Sequence, residues 1–251
     1  MLRRKDALRE DGEQPFITHL VELRDRLIRS IVVVALLFAG LSFWANDLYA
    51  LLAGPLTRHL PPGAQMIAIG VASPFMAPLK LTLFVAVVLG VPYLLYQAWA
   101  FIAPGLYQHE KRMALPLLVA SILLFYGGMA FAYFLVFPLI FKFMVTTAPK
   151  GVAVMTDINQ YMDFVLTLFI AFGVSFQVPI ATILLVVSGL VTRESIADKR
   201  PYAIVFAFVI GAVLTPPDVV SQTLMAVPIW ILFELGLIFS RFFVKETVPS
   251  A

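Results

Sequence analysis

The sequence predicts an all-α protein that crosses a membrane several times. Two observations carry that expectation. Of the 251 residues, 61% are hydrophobic and only 13% are charged, and the mean hydropathy is +0.94. A soluble domain carries about 45–50% apolar and about 25% charged residues, so most soluble enzyme classes are excluded. The charges also collect in short segments between long apolar runs. A helix crossing about 30 Å of hydrocarbon needs about 20 apolar residues, and most of the runs have that length. The whole chain, 1–251, therefore reads as a single membrane domain.

The first run spans about 27–45 and ends at Asn46 and Asp47. The others cover about 79–103, 113–137, 161–189, 201–215 and 219–240. Pro92, Pro116, Pro179 and Pro228 lie inside these runs. Proline removes a backbone donor and kinks membrane helices without excluding them. The fifth run must stop at Thr215, because Pro216-Pro217 follows. Its helix would reach only about 22 Å, which requires a thinned bilayer or shielding by neighbouring helices.

Lysine and arginine set the expected orientation. The N-terminal segment, the second and fourth connections and the C-terminal end carry fourteen; Arg58, Lys80, Lys142 and Lys150 lie on the other side. That bias places both termini in the cytoplasm. The first outer connection, about 46–78, holds Pro55, Pro61-Pro62, Pro74 and Pro78. It reads as ordered by packing and partly re-entrant or capping. No small-residue cleavage site closes the first apolar run, so no cleavable signal peptide is expected. Arg3-Arg4 has no apolar stretch directly after it and reads as positive-inside charge.

Residues 1–26 form the cytoplasmic N-terminal segment in this reading. Phe16, Leu20, Leu23 and Leu27 make one helical stripe, and Pro15 suits a first helical turn. The stripe predicts an amphipathic surface helix running into the first span. Glu22 can pair with Arg26, and Asp25 with Arg29, at i,i+4. Glu110 is the only acid of the short connection Pro104–Arg112. It reads either as a solvated loop acid beside Lys111 or, with Glu22 on the same membrane face, as one of two carboxylates able to receive two guanidinium groups.

Gln177 lies near the middle of the fourth run and Glu234 in the sixth. Polar groups at membrane depth are functional-site candidates, against an interhelical hydrogen bond for Gln177 and pairing near the cytoplasmic end for Glu234. Asp218 is placed to cap the sixth helix. Cysteine is absent, and His19, His59 and His109 have no metal-motif spacing. H-E-x-x-H, G-x-S-x-G and P-loop motifs are also missing. The sequence therefore predicts no enzyme, cofactor, metal or nucleic-acid partner. A secondary transporter of a small solute is the rival, but it would call for inverted repeats and several ionisable groups at mid-depth.

Several ordered blocks resemble the TatC family, the signal-peptide receptor subunit of the twin-arginine protein translocase. They are His19–Arg24, Val71–Phe75, Trp99–Leu106 continuing to Arg112, Gly128–Pro138, Ala171–Phe176 and Leu214–Asp218. The resemblance implies six spans with both ends inside, in a bacterial cytoplasmic membrane. It implies receptor carboxylates at Glu22 and Glu110, with Arg24 and Phe101 beside them, for the paired arginines of signal peptides on folded cargo. It further implies recruitment of the single-span partners TatB and TatA at Thr215 and Gln222, homo-oligomers within the receptor complex, and export driven by the proton-motive force. The family often has Glu where this chain has Gln177. That position is expected to act as a polar docking point and not as a titrating group.

Overall fold

The computed structural model describes residues 3–57, 66–102, 111–147, 156–214 and 219–243. Among the described residues the regular structure is helical apart from two two-residue strands, with short turns between the helices. Its helices are α1 (Arg3–Ser42), α2 (Ala45–Thr57), α3 (Ser73–Ile102), α4 (Lys111–Phe131), α5 (Phe137–Thr147), α6 (Ile158–Ser175), α7 (Val178–Val187), α8 (Arg193–Ala197), α9 (Arg200–Leu214) and α10 (Val219–Phe243). Strands β1 (Met66–Ile67) and β2 (Thr156–Asp157) pair in parallel.

Among the described residues, four helical stretches are long and apolar enough to cross a membrane: Ser73–Ile102, Ala114–Phe143, Ile158–Val187 and Val219–Arg241. Thr18–Ser42 and Ala45–Leu51 make a further, broken one, bent by 86°, and α9 is a shorter apolar helix. The N-terminal helix is longer than the stripe at Phe16 suggested. It starts at Arg3 and runs into the apolar segment without interruption, so Pro15 lies inside α1 and not in a first turn. Exposed Leu36, Leu123, Phe206 and Val213 point outward, as expected where the surrounding solvent is lipid.

The prolines are accommodated in different ways. Helix α3 continues through Pro78 and Pro92. Pro92 has no N–H to offer the Val88 carbonyl, and the Tyr126 hydroxyl on α4 donates to that oxygen instead, at 2.9 Å. Before Pro138 the helix widens into a π turn, Ala132–Val136, in which the Phe137 N–H reaches back to the Ala132 carbonyl. At Pro179 the helix breaks, and α6 and α7 meet at Phe176 and Gln177.

The main core joins the π turn and α5 to α6, α9 and α10 through Phe137, Leu168, Phe172, Ala207 and Met225. Helices α4 and α6 approach closely because small residues face each other there. A Cβ on Gly128 would stand 2.5 Å from the Phe172 carbonyl oxygen, and one on Gly173 would stand 2.8 Å from the Phe125 ring. Small residues at such crossings are the usual means of close approach between membrane helices.

At the other end from the α1 N-terminus, Asp157 joins two connections. Its Oδ1 accepts from the N–H groups of Asn159 and Gln160 at 3.0 and 3.1 Å, capping α6. Its Oδ2 accepts from the Ile69 N–H at 3.0 Å. These backbone donors, Ile69 first, hold the carboxyl below its ordinary value. A depressed value in the folded state adds stability above the unfolded value of about 3.9 and loses it as pH falls through the folded value. Asp157→Ala should therefore lower the melting temperature at pH 7. The gap to the parent should narrow below about pH 4. A gap independent of pH in detergent melting curves would show that the charge is irrelevant.

Candidate receptor site

The middle of α1 is antiparallel to the end of α3, and the facing side chains form a polar cluster. Glu22 Oε1 accepts from Arg26 twice, from Nε at 2.9 Å and from Nη2 at 2.6 Å. Arg26 Nη1 crosses to α3 and donates to Gln97 Oε1 at 3.1 Å. Gln97 is buried, and its Nε2 donates to the Tyr93 hydroxyl at 2.6 Å, one turn earlier in α3. Glu22 Oε2 points to His19 Nδ1, 4.0 Å away. The His19 ring stacks on Phe101 with centroids 4.1 Å apart and planes 19° from parallel. A carboxylate, an aromatic platform and a bound guanidinium thus lie together on one end of the bundle.

This is a set of groups suited to recognising a guanidinium. One carboxylate oxygen accepts from Arg26, the other has no hydrogen bond among the described residues, and an aromatic face beside a cation adds attraction. The i,i+4 expectation for Glu22 and Arg26 is met. The companion pairing is not: Asp25 accepts from Arg24 at 2.8 and 3.0 Å instead of from Arg29. Both side chains are exposed, and such pairs contribute only about 0–1 kcal/mol because ordering them costs entropy. Gln97 is absent from the sequence-derived set, although a lone amide within the apolar run 79–103 is itself a signal. Glu110 lies outside the described residues.

The remaining polar candidates have separate settings. Gln177 Nε2 donates to the Ser121 carbonyl at 3.0 Å, joining the α6–α7 break to α4. The Ser121 hydroxyl accepts in turn from Trp99 Nε1 at 3.2 Å. Glu234 receives a fork from Arg200, with bonds of 2.7 and 3.0 Å between α10 and α9. Gln222 lies in the first turns of α10, where its backbone approaches Gly211 of α9. Thr215 and Asp218 lie outside the described residues. Shallow apolar grooves flank α10, one against the π turn and the other, lined by Ile204, Phe208 and Trp230, against α9.

The profile of the family described as Sec-independent protein translocase protein (TatC) matches residues 18–228. The chain belongs to the TatC family. It is 58% identical over 241 residues to the Sec-independent protein translocase protein TatC of Azotobacter chroococcum mcd 1, covering 96% of this chain and 94% of that one. Identity is also 58% over 236 residues to the protein of that name from Escherichia coli K12, covering 94% and 92%. The fold matches a crystal structure of a twin arginine translocase receptor, TatC, with a TM-score of 0.80 and 38% identity, over 90% of this chain and all of that one. TatC-family membership makes the chain a multi-pass membrane component of a protein translocase and not an enzyme.

Proposed function

We propose that this TatC-family protein is the receptor that binds twin-arginine signal peptides of folded cargo, in a bacterial cytoplasmic membrane with both termini inside. Glu22 and Glu110 take the two guanidinium groups, Phe101 supplies an aromatic face, and Arg24 lies beside them on α1. Single-span TatB and TatA helices dock along α10 near Thr215 and Gln222. Gln177 is the polar contact deeper in the membrane; one of its Nε2 hydrogens is used on the Ser121 carbonyl, and an amide has a second donor and a carbonyl oxygen to offer. Copies of the chain assemble in the receptor complex, and the proton-motive force drives export.

The observation that carries the reading is the state of Glu22. Its carboxylate already holds a guanidinium by two bonds to one oxygen, and its second oxygen faces the His19–Phe101 stack. The geometry that the ligand needs is thus already occupied by an arginine from the protein's own chain.

The ligand's chemistry tests the reading. A planar guanidinium gives parallel donors to a carboxylate, and an ammonium does not. A signal peptide with Lys-Lys should bind at least about tenfold more weakly than its Arg-Arg parent, equivalent to roughly 1.4 kcal/mol. Equal affinities in a titration against the purified protein would mean that charge alone is read.

A further inference from the structure

Arg26 holds the carboxylate that the ligand is proposed to use, and Gln97 holds Arg26. The guanidinium has five N–H donors. Two of its nitrogens serve Glu22 on the same helix, and the third, Nη1, serves Gln97 on α3. The Gln97 amide is buried and oriented by its bond to Tyr93, which turns its carbonyl oxygen toward the guanidinium. The two acceptors of Arg26 therefore differ in kind. One is a charged, half-exposed carboxylate that a ligand can reach; the other is a neutral, buried amide that it cannot.

We propose that Gln97 is a positioning residue that sets how readily Glu22 exchanges its internal arginine for one from the ligand. The inference rests on the reading of Glu22 as a signal-peptide acceptor. An incoming guanidinium approaches Oε2, the oxygen that Arg26 leaves alone, and takes the carboxylate. Arg26 then keeps its bond to Gln97 and stays seated against α3. Without that acceptor, the released guanidinium would lose its last described partner in a site where its side chain is only 23% exposed. A poorly solvated charge without a partner is costly, and the cost would appear as weaker ligand binding. Because Arg26 stays in the cluster, the incoming guanidinium adds one positive charge there, and the Gln97 carbonyl is the described acceptor left to Arg26.

The test is a titration of a fluorescent Arg-Arg signal peptide against the full-length protein in lipid nanodiscs. Gln97→Leu should weaken binding about fivefold, the scale of one lost hydrogen bond. Arg26→Met removes the internal competitor and should tighten binding by a similar factor. The double variant should match Arg26→Met alone, because Gln97 acts through Arg26. Parent affinity in Gln97→Leu overturns the inference, as does a Gln97→Leu effect that persists in the Arg26→Met background. Should Gln97→Leu fail to assemble, unchanged or weakened binding by Arg26→Met overturns it instead. Glu22→Ala separates the two levels. Unchanged binding there removes the receptor role of Glu22 and the inference with it. Weakened binding there, with Gln97→Leu at parent affinity, removes the inference alone.

Discussion

Glu110→Ala should abolish signal-peptide crosslinking and export of a twin-arginine reporter, while the protein still accumulates in the membrane. Glu22→Ala should be milder. The reason lies in the internal arginine. Glu22 is already neutralised by Arg26 through bonds of 2.6 and 2.9 Å, so a ligand gains only the difference between its own bonds and those it displaces. Glu110 is the only acid among Pro104–Arg112, and a charge-assisted guanidinium pair there is proposed to be the larger source of affinity. That pair is proposed to exceed the roughly 0–1 kcal/mol of an exposed salt bridge. Crosslinking at parental yield to the Glu110→Ala protein, at matched expression, would remove Glu110 from the site.

Gly128→Ala should destabilise the bundle by about 1–3 kcal/mol, the usual range for forced overpacking. Its neighbour provides the control. An added Cβ at Gly128 meets the Phe172 carbonyl oxygen at 2.5 Å, its carbon at 2.9 Å and the Phe176 ring at 2.9 Å. Two of these atoms belong to the α6 backbone, so α4 and α6 would have to separate. Phe172 is fully buried in the main core and contacts Phe131, and the shift would spread through that cluster. A Cβ at Gly127 meets nothing within 4 Å. Gly127→Ala should therefore be neutral or stabilising, by up to about 1 kcal/mol, because alanine favours the helix. Melting curves in detergent measure both variants; equal midpoints for the two would show that the α4–α6 crossing yields without cost.

The sequence by itself determined the membrane class. Long apolar runs between clustered charges leave a helical membrane protein as the reading, and the structure has helices in those runs. It also disclosed the Glu22–Arg26 pair, since i,i+4 neighbours on a helix meet whatever the helix packs against. It marked the short α9, because a proline pair ends a helix locally. Other features were decided only by tertiary structure. Arg26 and Gln97 are 71 positions apart, and no periodicity relates them. The same holds for Tyr126 and the Val88 carbonyl, and for Asp157 and the Ile69 N–H. Local sequence also could not distinguish Gly127 from Gly128, although one faces open space and the other the α6 backbone. Hydropathy fixes which segments enter the bilayer, but lipid tails are as apolar as the helices themselves. Helix register is therefore left to close packing and to polar groups that need partners, and both are set only when the helices meet.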